Sequence, residues 1–198
     1  MAEITGLEGA FDARRPLLEI LAQTLDEKTR EALDGVPHID RISFRTKDTV
    51  SFVEKASKPK YTDPLAQIED QIAGRVITFF RDDIPVVRER LTRWFGDVEH
   101  QTKEPAGPEE FGYESDHFVF VIAEHWKPAG WESFQDMPGT FEFQLRTLFM
   151  HAWAEPQHDI GFKSSPDRET QRELAWIAAS AWGADRILNG IARRVADS

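Results

Sequence analysis

Residues 140–147, Thr-Phe-Glu-Phe-Gln-Leu-Arg-Thr, constrain the fold more than any other stretch of the chain. Phe141, Phe143 and Leu145 alternate with Glu142, Gln144 and Arg146. A period of two is that of a β-strand with one face buried, because successive side chains point to opposite sides of the sheet. The phenylalanines and leucine claim a core. The opposite face then lines up a carboxylate, an amide and a guanidinium in one row. That row suits a magnesium-bound polyphosphate, with the carboxylate on the metal and the amide and guanidinium on the ligand. It also suits an exposed sheet face on which Glu142 and Arg146 form a salt bridge, the commoner use of such a row.

The 198 residues, 40% hydrophobic with 14 Phe and 6 Trp, are enough for one domain with a substantial core, with room for helical extensions. A net charge of -11 argues against a general nucleic-acid coat, though not against a local basic pocket. With no cysteine, disulfides, thiolate zinc sites and a cysteine nucleophile are excluded. No apolar run is long enough to span a membrane and no secretory pattern opens the sequence, so a cytoplasmic location without membrane contact is expected.

Apolar spacing at Leu17, Leu18, Leu21 and Leu25 predicts a helix over residues 7–33, stopped by Gly35-Val36-Pro37. A basic loop follows. Asp48 predicts the N-cap of a short helix over 48–57, and residues 72–80 are strongly β-prone. Asp82 or Asp83 opens a helix carried by Ile84, Val87, Leu91 and Phe95. Residues 96–111, rich in Gly, Pro and Glu, read as a loop, 117–123 as a strand, and 124–139 as a long connection containing Trp126 and Trp131. Helices are expected over 148–162 and 167–195. The order predicts an α+β fold, a mixed sheet covered by helices.

Several clusters are candidates for chemistry. Arg45 and Lys47 precede the 48–57 helix, and Ser51 and Lys55 lie one turn apart on it. A cradle for a triphosphate and a solvated basic patch are both consistent with this pattern. Asp70 and Arg75 flank Gly74 at the entry to the β-prone run. Magnesium takes hard oxygen ligands, commonly one or two carboxylates plus phosphate, so Asp70 and Glu142 form a candidate pair, with a turn carboxylate as the alternative for Asp70. In Gly112-Tyr113-Glu114-Ser115-Asp116-His117, Tyr113 is placed to stack on a base and His117 to touch phosphate or ribose, unless the segment is a surface turn. His151, His158 and Asp159 do not complete a transition-metal set. The glycines of a P-loop or a nucleophile elbow are absent.

Taken in order, Arg45-x-Lys47-x3-Ser51-x3-Lys55, Asp70-x4-Arg75, Gly112-Tyr113-x-Ser115-x-His117, Glu142-x-Gln144-x-Arg146-Thr147 and His151-Ala-Trp153-Ala-x3-His158-x4-Lys163 resemble the synthetase domain of the RelA/SpoT family, the alarmone synthetases. The resemblance runs from about residue 41 to 163 and implies a small, single-domain member with a nucleotidyltransferase-like sheet of about five strands. It divides the chain into an N-terminal helical segment (1–40), a synthetase core (41–163) and a C-terminal helical segment (164–198). It implies a GTP diphosphokinase-type reaction: the β,γ-pyrophosphate of ATP passes to the 3′-hydroxyl of GDP or GTP and AMP leaves. Arg45 and Arg75 would then clamp the adenine, while Lys47, Ser51 and Lys55 hold the ATP phosphates. Asp70 and Glu142 would hold Mg²⁺, with Glu142 near the attacking hydroxyl. Tyr113 would stack on the acceptor base, and His117, Gln144 and Arg146 would position its ribose and phosphates.

The chain departs from the family pattern on the acceptor side. Glu109, Glu110 and Glu114 stand where cations are frequent, and Gln157 where a glutamate is frequent. Carboxylates beside a di- or triphosphate cost affinity through like-charge repulsion. Toxin-like members of the family use other acceptors, adenosine nucleotides or the 3′ end of tRNA, and a toxin of this kind would have an antitoxin partner. A tRNA acceptor would need Arg14, Arg15, Lys58, Lys60, Arg193 and Arg194 to converge. A catalytically silent nucleotide-binding module is the remaining reading. In the last helix Leu174, Ile177, Ala178, Ala181, Ile187, Leu188 and Ile191 form an apolar stripe, expected to pack on the chain's own sheet or to support a homo-oligomer.

Overall fold

A computed structural model describes residues 2–105, 107, 110–112, 115–163 and 167–198. The expected helix is α1 (Ala2–Ala32), whose Phe11, Leu18, Leu21 and Leu25 are fully buried. Five strands form one sheet in the order β1 (Ile39–Thr46), β2 (Ile72–Thr78), β5 (Thr140–Thr147), β4 (Ser115–Val121), β3 (Asp97–Lys103). The central pair β2 and β5 is parallel and the other three pairings are antiparallel, so the sheet is mixed. This is an α+β fold.

Two strands correct the sequence reading. The basic segment before Lys47 is β1, and the supposed 96–111 loop contains β3. Both lie at the sheet's edges, where charged side chains are tolerated and protect against further strand pairing. In β1, Arg41, Ser43 and Arg45 alternate with Ile42 and Phe44. In β3, His100 stacks on Phe118 of the neighbouring strand at 4.6 Å.

The helices α2 (Thr49–Ala56), a single turn α3 (Pro64–Gln67) and α4 (Asp83–Phe95) follow β1 and β2. Asp48 caps α2 by accepting from the Ser51 N–H at 2.8 Å. α1, α2 and α4 supply Leu21, Phe52 and Leu91 to one core with Phe118, Phe120, Phe141 and Phe143 from the sheet. Phe44 and Phe143 close over Gly74 so tightly that a methyl group there would stand 2.5 Å from the Phe143 ring.

α5 (Leu148–Lys163) and α6 (Arg168–Ala196) form a second cluster through Met150, Trp153, Ala154, Ala178 and Ala181. The expected stripe on α6 is only partly used. Ala178 and Ala181 are buried, but Ile187 is 66% exposed and Ile177 and Ile191 also face outward. Polar groups complete the attachment of the helix: Thr147 donates to buried Asp185 at 2.5 Å, and Asn189 accepts the Asp82 N–H at 3.0 Å. Among the described residues no helix is long and apolar enough to cross a membrane.

Candidate active site

The polar row of β5 faces a cleft. In the sheet register Ser43, Arg75, Gln144, His117 and Gln101 lie side by side across all five strands. A cleft of about 540 Å³ forms between this face and α5, lined by Arg45, Arg75, His117, Gln144 and Arg146 together with Glu155 and Gln157. The apolar alternates of the same strands anchor this face from below, which is why the row holds its geometry.

Glu142, Gln144 and Arg146 are bonded in series. Gln144 Nε2 donates to Glu142 Oε1 at 2.9 Å, and Arg146 Nη2 donates to Gln144 Oε1. From β4, His117 Nδ1 approaches Glu142 Oε1 at 3.2 Å. Burial works to raise the Glu142 pKa, but the hydrogen bonds from His117 and Gln144, aided by the charges of His117 and Lys55, outweigh it and bring it from 4.5 down to about 2. The carboxylate is therefore charged at any physiological pH.

At the neighbouring corner, Asp70 sits in a 3₁₀ turn (Glu69–Gln71) leading into β2. Lys47 Nζ approaches its Oδ2 at 2.7 Å and Lys55 Nζ its Oδ1 at 3.0 Å. Burial tends to lower the Lys55 pKa, but Asp70 and, more distantly, Glu142 raise it above its ordinary value. Glu69 is raised by burial and then by the charges of Glu99 and Glu142. Lys55 thus lies in the field of both candidate metal carboxylates.

The remaining candidates divide. Ser51 uses its backbone N–H to complete the Asp48 cap. Tyr113, Glu109 and Glu114 lie outside the described residues, as do the side chains of His158, Asp159 and Lys163. Glu110 is exposed. Of the cations considered for a nucleic-acid patch, three are spent locally. Arg14 is buried and donates to the Ala10 and Gln135 carbonyls, Arg15 pairs with Glu19, and Arg193 grips Asp82.

Glu155 is a site residue that sequence reasoning missed. Its Oε1 lies 2.9 Å from Arg75 Nη1, 3.4 Å from Arg146 Nη1 and 3.6 Å from His151 Nδ1. The i,i+4 spacing from His151 was the available signal. On the opposite face of the sheet, Asp116 receives Arg88 Nε and Nη2 at 2.9 and 2.6 Å and Thr102 Oγ1 at 2.8 Å. This pairing, buried on the Asp116 side, ties α4 to β3 and β4.

Residues 44–167 match a family model described as a region found in RelA / SpoT proteins. The GTP pyrophosphokinase YjbM of Bacillus subtilis (strain 168) is 33% identical over 135 residues, 64% of this chain, and the chain spans 58% of that protein's length. The crystal structure of small alarmone synthetase 1 from Bacillus subtilis superposes with a TM-score of 0.70 at 24% identity, covering 93% of this chain and 94% of that one. A structure of the same synthetase bound to its product pppGpp gives 0.68 at 24% identity, over 91% and 93% of the two chains. These structural likenesses establish the fold.

Proposed function

The chain belongs to the RelA/SpoT family, and from that premise we propose that it is an ATP-dependent pyrophosphokinase: it transfers the β,γ-pyrophosphate of ATP to the 3′-hydroxyl of a guanosine nucleotide, GDP or GTP, and releases AMP. The observation that carries this reading is the convergence, on one sheet face, of Arg45, Arg75 and Arg146 beside a corner where Lys47 and Lys55 meet Asp70. A relative that is named a GTP pyrophosphokinase and a similar synthetase described with bound pppGpp support the acceptor class.

The residues suit a reaction with little covalent work for the protein. Phosphoryl-type transfer is mostly positioning and charge neutralisation. The planar guanidiniums of Arg45 and Arg75 would hold the adenine by stacking, and Lys47, Lys55 and Ser51 would take the phosphates. Asp70 and Glu142 fit magnesium by donor chemistry: both are hard-oxygen groups, both act on Lys55, and Asp70 Oδ1 is buried without a well-aligned hydrogen bond. When bound, the metal would neutralise charge on the transferring phosphates. As ATP draws Lys47 and Lys55 toward its phosphates, Asp70 loses its ammonium partners. Nucleotide and metal should therefore bind with positive coupling.

Glu142 has a further constraint. With its pKa at about 2 it is a weak base while His117 and Gln144 hold it. It accepts the 3′-hydroxyl proton only once the acceptor draws those two donors to its own ribose or phosphates. The bond that forms joins the 3′-oxygen to the β-phosphorus; the bond that breaks is that from the β-phosphorus to the α–β bridging oxygen, which departs with AMP.

Purified protein given Mg²⁺ and ATP labelled in its β and γ phosphates should label GDP or GTP when GDP, GTP, ADP and deacylated tRNA are offered in parallel. Label confined to ADP or tRNA would replace the acceptor with that of a toxin-like member. Label on none, with no AMP released, would leave a silent nucleotide-binding module.

A further inference from the structure

We infer that Glu155 is a resident occupant of an anion seat built by the N–H edges of Arg75 and Arg146, and that a phosphate group of the acceptor nucleotide displaces it on binding, the flat face of Arg75 staying available to the adenine. The inference rests on the proposed use of this cleft.

The two guanidiniums project from adjacent parallel strands on the same face, in the register Arg75↔Gln144 and Ile77↔Arg146. Both direct an Nη1 at one oxygen, Glu155 Oε1, at 2.9 and 3.4 Å. The strands fix the positions of the cations. The anion comes from α5, outside the sheet.

Exposure separates the partners. The Arg146 side chain is 4% exposed and that of Arg75 23%, while that of Glu155 is 51% exposed. Buried guanidiniums need an anion whether or not ligand is present. A half-exposed carboxylate can supply one and then swing into water at little desolvation cost. Ion pairs with one solvent-exposed partner are weak, so Glu155 holds the seat without locking it. A phosphoryl group offers more charge and several oxygens to the same two forks, and Arg recognises such groups in bidentate fashion.

The arrangement has a measurable consequence. Glu155 competes with any anion entering the seat, so removing its charge should tighten anion binding. A residue whose task was to align the arginines would give the opposite sign.

The test uses inorganic pyrophosphate, without nucleotide, titrated calorimetrically into the full chain at fixed ionic strength. Glu155→Gln should lower the pyrophosphate Kd by about threefold to tenfold, the scale of one or two partly exposed ion pairs. Glu155→Asp, which keeps the charge, should stay near wild type, and thermal melting checks that both variants fold. An unchanged or raised Kd in Glu155→Gln overturns the inference, as does absence of pyrophosphate binding to wild type and variant alike. Transfer to guanosine nucleotides with no Glu155→Gln effect on pyrophosphate would remove the seat and keep the function. Tighter pyrophosphate binding with no transfer to any acceptor would keep the seat and remove the function.

Discussion

Replacing Gly74 by Ala probes how closely the site depends on the core beneath it. Gly74 lies in the middle of β2, between Ala73 and Arg75 on the cleft face, and its own missing side chain points at two phenylalanines. An added Cβ would stand 2.5 Å from Phe143 Cδ2 and 2.6 Å from both Cε1 and Cζ of Phe44. Carbon atoms pack best at about 3.5–4.0 Å, so each ring would have to retreat by roughly 1 Å. Neither is free to do so, because Phe44 packs on Phe141 and Phe143, and Phe143 on Phe120. Overpacking of this kind costs about 1–3 kcal/mol, against which alanine recovers about 0.5–1 kcal/mol of backbone entropy. The net expected loss is ~1–2 kcal/mol, or roughly 2–8 °C in Tm for a domain of this size. Thermal denaturation followed by circular dichroism measures it. Gly183→Ala is the control: no atom lies within 4 Å of its added Cβ on α6, and a helical glycine gains about 1 kcal/mol on becoming alanine. A Gly74→Ala protein that melts at or above wild type would refute the packing argument.

Other consequences concern the cleft. Arg45→Ala and Arg75→Ala should raise the donor KM at least tenfold with a smaller effect on kcat, as steady-state kinetics in ATP would reveal. Tyr113→Ala should raise the KM of the acceptor and leave that of ATP unchanged; an unaltered acceptor KM would move the acceptor pocket elsewhere. Because Glu142 is depressed from 4.5 to about 2, its stabilising contribution is complete above its unfolded-state value and is lost as pH falls through about 2. That contribution amounts to about 3 kcal/mol at neutral pH, and Glu142→Gln should flatten the acid limb of the stability profile between about pH 4.5 and 2, measured by urea denaturation.

The sequence revealed the centre of the molecule more readily than its margins. β5 was legible because its two faces differ completely, with aromatic and aliphatic residues against Glu, Gln and Arg. The edge strands were not. In β1 the Ile42 and Phe44 alternation is short and set among Arg41, Arg45 and Asp40, and in β3 nearly every residue is polar, as edge positions permit. α6 misled for a related reason. Of its apolar stripe Ala178 and Ala181 dock on α5, Asp185 and Asn189 complete the attachment, and Trp176 stays 75% exposed. Among candidate site residues, those at regular spacing on one element, such as Ser51 and Lys55 or Glu142, Gln144 and Arg146, could be proposed from pattern. Glu155 offered only its i,i+4 spacing from His151, because its role depends on where α5 lies over β2 and β5, a contact between segments about eighty residues apart for Arg75.

Pyrophosphate transfer is distinguished from other phosphoryl chemistry by identifying both products of one reaction. ATP carrying distinct labels in its α and β phosphates is incubated with GDP, Mg²⁺ and the protein, and the products are separated and quantified. AMP and a guanosine 3′-pyrophosphate should form in equal amounts, with neither formed by Asp70→Asn or Glu142→Gln proteins that circular dichroism shows to be folded at the assay temperature. Release of ADP in place of AMP, or undiminished turnover in both variants, would contradict the proposal.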